Sequence, residues 1–373
     1  MTRNATGLAL LGLFSLVACS SSSSSSDGGF SNTNGGSSSS GGSSSATAGS
    51  TQSGAGTSSA SAGTSSSSAG NSSAGSGTVN SGGSAGSASG GAGGTSSAGA
   101  TGTAGAASTD VCTRWKADRA DVSEGTWSGD VASCNAGDLS ADARTNALRL
   151  VNLYRFLAGL PAVTDDPMLD AGDQACALMM RANNTLSHMP PTTWTCYTQA
   201  GADAAGSSNI SGGQAVSSVD LYMTDPGNAT TLGHRRWVLS NSLGPIGIGG
   251  TDKASCMHTL GGTGKAGKPW MAWPAEGSIP IQAMTASRNQ SVDKTGWSIQ
   301  SEKIDLTNAM VTVTVDGASQ PVTVTQLDQN YGAKFAIDFI PQGWTSQAGK
   351  TYSVSVSGVT PAISYDVQFV DCQ

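Results

Sequence analysis

Residues 20–108 of this chain are almost entirely Ser, Gly, Ala, Thr and Asn. Asp27 is the only charge there, Phe30 the only aromatic ring, and proline is absent. A segment with so little apolar surface has nothing to set against the entropy of ordering its backbone, so it is expected to stay disordered. As a Gly/Ser coil its r.m.s. span is roughly 50 Å, the dimension of a tether. Folding is left to about 265 residues beyond it, enough for one domain of ordinary size plus a smaller one.

The residues before the tether bear on compartment. Arg3 supplies a positive charge, and Ala5 to Val17 form an apolar run too short to span a bilayer as a stable anchor. The run ends in Leu16-Val17-Ala18-Cys19, which resembles a bacterial lipobox. That resemblance implies a signal peptide over 1–19, a lipid anchor on Cys19 and a membrane as the partner of the N-terminus. Ser20 after the cysteine resembles the sorting pattern of outer-membrane lipoproteins, so the expected location is the cell envelope.

Six further cysteines follow: Cys112, Cys134, Cys176, Cys196, Cys256 and Cys372. An even number in an exported chain points to three disulfides, among fifteen formal pairings. Sequential pairing is the expectation: 112–134, 176–196 and 256–372. No C-x-x-C spacing supports a Cys/His metal cluster. The net charge of −7 and the lack of a basic cluster exclude nucleic acid as a natural partner.

Helical periodicity opens in SADARTNALRLVNLYRFLAG, where Ala147, Leu150, Val151, Tyr154 and Leu157 share a face, Ser140 can cap and Gly159 can terminate. Asp166 and Pro167 then read as N-cap and N1 of a second helix, running to about Asn184, with Leu169, Cys176, Met179 and Asn183 on one face. Pro190 and Pro191 make the following stretch a loop. A third helix is expected over 214–224, and a short fourth one from Asn228 or Thr230 to Leu239. GPIGIGG, ASCMHTL and KPWMAWP read as strands. Beyond about residue 280 the chain alternates as strands do: MVTVTVDGASQPVTVTQL predicts two strands about an Asp316-Gly317 turn, and KFAIDFI, TYSVSVSGV and ISYDVQFV predict three more.

The order of these pieces resembles bacterial members of the CAP superfamily, the cysteine-rich secretory, antigen 5 and pathogenesis-related proteins. The resemblance rests on VNLYRFLAGLP, Ser187-His188, Asn209-Ile210, His234 before a G-x-G strand, and WMAWPAEGSIP. It implies a CAP-like three-layer α–β–α sandwich over 109–279; with the alternating strands beyond it, read as a small antiparallel, Ig-like β-sandwich over 280–373, the expected fold class is α+β. It also implies a cleft holding two histidines and two acids, in some relatives with zinc. His188 and His234 fall on the histidine positions and Asn209 beside them. The position where the resemblance implies a glutamate holds Ser208 instead.

Two neutral imidazoles make a weak zinc site, because zinc ordinarily takes three or four protein ligands. A hydrolase would need a further carboxylate, for which Asp203 and Asp225 are the candidates. His258 on its strand is expected to meet a polar partner, Trp237 to enter the core, and one of Arg235 and Arg236 to pair with an acid. The reading is a non-catalytic binding module on a tether, with a cell-wall fragment, a lipid or a protein as ligand. A zinc-assisted hydrolase through His188 and His234, and an adhesin or envelope spacer, are the alternatives.

Overall fold

Asp166 shows how local chemistry starts an element here. Its side chain accepts the Met168 N–H, Pro167 occupies the first helical position, and the helix runs Pro167–Asn183. The computed structural model describes residues 108–373, so the expected signal peptide, lipid anchor at Cys19 and tether lie outside the described residues. In chain order the helices are α1 (Ser108–Asp118), α2 (Ala141–Leu157), α3 (Pro167–Asn183), α4 (Gln199–Ser207), α5 (Ala215–Thr224), α6 (Gly233–Val238) and α7 (Val292–Thr295). The strands are β1 (Ser208–Ser211), β2 (Ile248–Gly250), β3 (Ser255–His258), β4 (Met271–Trp273), β5 (Gly277–Pro280), β6 (Trp297–Ser301), β7 (Met310–Val315), β8 (Ala318–Gln320), β9 (Val322–Gln326), β10 (Phe335–Pro341), β11 (Thr351–Ser357) and β12 (Ile363–Val370).

The first three strands form an antiparallel sheet in the order β1-β3-β2. Alternation along β3 separates two helical layers. Cys256 packs with Cys176, Ala177 and Met180 of α3 and with Ala204 and Ala205 of α4. Met257 belongs to the larger core with Leu150 of α2 and Val219 and Tyr222 of α5. The result is a three-layer α–β–α arrangement. α3 lies very close to β2, and GPIGIGG is built for that approach. A Cβ on Gly249 would overlap backbone atoms of Asp173 and Gln174, and one on Gly247 would overlap Leu169 and the Asp173 carboxyl. Gly249→Ala is therefore expected to destabilise the fold by about 3 kcal/mol, since backbone cannot rotate aside as a side chain would. Urea unfolding would read this as a lower midpoint at constant slope; an unchanged midpoint would contradict the close approach.

The remaining strands form two sheets, β4-β6-β10-β9 and β5-β12-β11-β7-β8. Trp297 of β6 and Phe339 of β10 meet Tyr352 of β11 and Phe369 of β12 between them, which makes the pair a sandwich. Three expectations need correction. β4 lies before residue 280 and β5 ends on it, yet they pair with β6 and β12, so the sheets draw on chain from residue 271 onward. β5 and β12 run parallel, so the sandwich is not wholly antiparallel. The second strand after the Asp316-Gly317 turn divides at Pro321: β8 stays with β7, while β9 crosses to β10. Proline offers no N–H to a ladder, and the Pro321 carbonyl instead accepts the Gln342 N–H and the Trp344 indole N–H.

Three disulfides form, but not in sequential order. They join Cys112 to Cys372, Cys134 to Cys196 and Cys176 to Cys256. The cause is tertiary: Cys256 faces α3, where Cys176 lies on the buried stripe, and α1 reaches the chain's last residues. Cys372 thus ties the end of the chain to α1 rather than to β3. Three helices were not read from the sequence, α1, α7 and α4, the last of which is QAGADAAGS, too poor in large apolar residues to show a period. α6 begins at Gly233, later than the Asn228 or Thr230 start, and Leu232 precedes it in the left-handed conformation.

Candidate functional site

The region around His234 is assembled from α5, α6 and β1. α5 ends at Asp225, whose backbone is left-handed (φ 50°) and whose side chain is buried. That turn aims its carboxylate at the start of α6. Oδ2 accepts the Arg235 backbone N–H at 3.2 Å, and so supplies the helix-start acceptor that Leu232 cannot. Oδ1 lies 2.9 Å from His234 Nδ1 and accepts the Asn228 amide at 2.6 Å. A carboxylate in this position only accepts, so the neutral ring is assigned its proton on Nδ1, which the Asn228 amide also approaches at 3.1 Å, with Nε2 as the free acceptor. The imidazole side chain is 23% exposed, whereas its carboxylate partner is fully buried.

β1 holds the same element from below. The Asn209 amide donates to the His234 carbonyl at 3.1 Å, its Oδ1 accepts the Thr259 hydroxyl, and its own carbonyl accepts the Tyr222 hydroxyl. The Tyr222 ring lies 5.1 Å from the imidazole. Asn209 is therefore a structural brace of the His234 segment. Tyr331, from the loop between β9 and β10, borders the site: Gly233 lies against its ring, and 39% of the residue is exposed.

The other residues singled out in the sequence stand on other elements. His188 is exposed on the loop after α3, with Nδ1 donating to the Ala205 carbonyl at 2.8 Å. Asp203 is exposed on α4 and accepts the Gln199 amide. His258 is half-buried on β3, its backbone bonded to Gly247, and burial lowers its pKa. Among the described residues no three His, Cys, Asp or Glu side chains come together in a way that could hold a metal. The donor set at His234 agrees: Nδ1 and both Asp225 oxygens already have partners, which leaves one atom, Nε2. These residues do not fit a zinc ion.

The arginines break the expectation that one would meet an acid. Arg235 and Arg236 are both fully buried, and burial pushes each guanidinium down to about 10. Their hydrogen bonds go to carbonyls, hydroxyls and one amide.

Six buried acids escaped the sequence reading, and Asp173 and Asp338 are the most deeply buried of them. Asp173 accepts the Ser208 hydroxyl at 2.6 Å through Oδ1, while Oδ2 has no partner. Burial pushes its pKa up to about 8. Asp338 on β10 is pushed up by burial to about 6. For Asp173 a signal existed: it interrupts the apolar stripe between Leu169 and Cys176, where an acid has no place without a reason.

A hybrid of helical layers about a short antiparallel sheet, with an Asp-oriented histidine at its edge, is the class this part of the chain defines. Residues 148–255 match the model of the CAP family, described as the cysteine-rich secretory protein family. The match runs from within α2 to the first residue of β3, so this segment is similar to a CAP domain. No curated protein and no solved structure matches the chain. A segment similar to a CAP domain together with three disulfides fits an extracellular or envelope protein. No helix among the described residues is long and apolar enough to cross a membrane.

Proposed function

We propose that this chain is an envelope-anchored, non-catalytic binding module: Cys19 carries the lipid, residues 20–108 form the tether, and His234 is the recognition group of the CAP domain. The observation that carries this reading is the saturation of the Asp225–His234 pair. Every polar atom of the pair except Nε2 has an internal partner, so it presents one oriented acceptor and no metal-binding set. That suits recognition of a ligand hydroxyl or N–H from a cell-wall fragment, a sterol-like lipid or a protein. The same pair favours a second reading as a hydrolase, because a buried carboxylate behind an imidazole is how a general base is oriented.

One experiment separates them. The full-length protein and His234→Ala, which share the same N-terminus, are sedimented with purified peptidoglycan sacculi and, separately, with phosphatidylcholine vesicles containing cholesterol. We expect binding to one probe, at least ten-fold weaker in the variant, with no soluble fragment released. Equal binding by both proteins, or none by the wild type, would remove His234 as the recognition group. Fragments released by the wild type alone would establish the hydrolase.

A further inference from the structure

We propose that Arg235 and Arg236 are positioning residues for the Asp225–His234 pair, and that the β-sandwich is thereby a working part of the site rather than a spacer. This rests on the reading of His234 as the recognition group. α6 is six residues long, too short to hold its own geometry. Its shape must come from what grips it.

The two arginines grip in different directions. Arg235 bridges the end of α5 to the start of β6. Its Nε donates to the Met223 carbonyl at 2.7 Å and Nη2 to the Thr224 carbonyl, the two residues before Asp225. Nη1 donates to the Gly296 carbonyl at 2.7 Å, and the Thr295 and Ser298 hydroxyls complete the shell. Arg236 reaches the loop between β9 and β10: Nη1 donates to the Asp328 carbonyl at 2.7 Å and Nη2 to the Ala333 carbonyl at 3.0 Å. Gln300 of β6 returns a bond to the Arg236 carbonyl. Opposite this, Asn209 of β1 holds the His234 carbonyl. The backbone either side of the imidazole is thus fixed from the CAP sheet and from the sandwich.

The chemistry favours this over a purely structural role. Among the described residues neither guanidinium has a carboxylate within ion-pair distance, and a buried charge of that kind stabilises less than an apolar side chain of its size. What arginine supplies is a rigid fork of five donors that can tie three backbone segments at once. The loop it holds is closely fitted, since a Cβ on Gly332 would overlap the Arg236 carbonyl.

The test uses full-length protein with ¹⁵N-labelled histidine. The chain has three histidines, so His188→Gln and His258→Gln assign the signals. In the wild type His234 should be predominantly the Nδ1–H tautomer, with a small Nε2–H fraction. In Arg236→Gln and in Gln300→Ala we expect the Nε2–H form to rise at least five-fold while the chain still unfolds cooperatively in urea. Arg236→Lys, which keeps donors for the carbonyls, should fall between. A folded Gln300→Ala or Arg236→Gln with the wild-type tautomer ratio would overturn the proposal; should Arg236→Gln fail to fold, Gln300→Ala decides. The sedimentation assay with His234→Ala does not depend on this ratio, so recognition by His234 and its control by the sandwich can fail separately.

Discussion

Trp297→Ala is expected to destabilise the chain by about 3–5 kcal/mol, the range for emptying a large aromatic from a core that cannot collapse around the gap. Trp297 is fully buried. Its ring lies 5.8 Å from Phe339 and Trp344 and 5.7 Å from Tyr352, centroid to centroid, and 5.8 Å from Phe369. The Trp344 and Tyr352 contacts are edge-on, a geometry that adds to simple burial. The indole N–H also donates to Asp293 at 2.9 Å, so truncation leaves a buried acceptor short of a donor. Trp297→Phe, which keeps the ring contacts and loses that bond, should lose less than half as much. Urea unfolding under non-reducing conditions measures both. A loss below about 1 kcal/mol for the alanine variant would mean that the two sheets are not joined through this side chain.

Such a defect should also be felt at a distance, because Trp297 follows Gly296, whose carbonyl receives Arg235. That link was invisible in the sequence, and the reason is general. Elements defined by local chemistry were legible: the Asp166-Pro167 start, the helix over 215–224, and the alternation of TYSVSVS and ISYDVQF. Elements defined by a partner were not. The short α4 is held by Thr198, whose hydroxyl accepts the Gly201 N–H, and by packing against α3 rather than by an apolar period of its own. The stretch after the Asp316-Gly317 turn was readable as strand, but Pro321 was not readable as the point where it changes sheet. Cysteine pairing failed for the same reason, since 176–256 depends on which face of β3 looks at α3.

At the site, His234 and Asn209 were found through a family resemblance, and Asp225 was named as one of two candidate carboxylates. Only the left-handed turn at Asp225 brings it to the imidazole. The arginines misled because charge suggests an acid, whereas their acceptors are carbonyls that every residue possesses.

Asp173 gives the second large effect, and it appears as a pH dependence. Its carboxyl is fully buried on α3, with one oxygen bonded to Ser208 of β1 and the other unpartnered. Burial is the main reason its pKa rises from 3.8 to about 8; Asp170 and Asp165 push the same way, and Ser208 opposes. The folded chain therefore holds this proton more tightly than the unfolded chain does. Its contribution to stability is fully present in acid, declines as pH rises from about 4 to about 8, and is gone above that. The slope can reach about 1.4 kcal/mol per pH unit, so the whole window spans several kcal/mol.

Asp173→Asn keeps the shape and the acceptor for Ser208 but cannot ionise. Relative to wild type it should gain stability between about pH 4 and about pH 8 and hold that gain above it, starting level or slightly worse in acid. Asp165 and Asp338, both raised to about 6, tilt the curve in the same direction. They remain in the variant, so the difference isolates Asp173. Parallel stability curves for the two proteins would show that this carboxyl is not buried as described. Since Ser208 adjoins Asn209, which braces His234, ionising Asp173 loosens the same strand that holds the candidate site, and a pH-dependent fall in binding should follow the fall in stability.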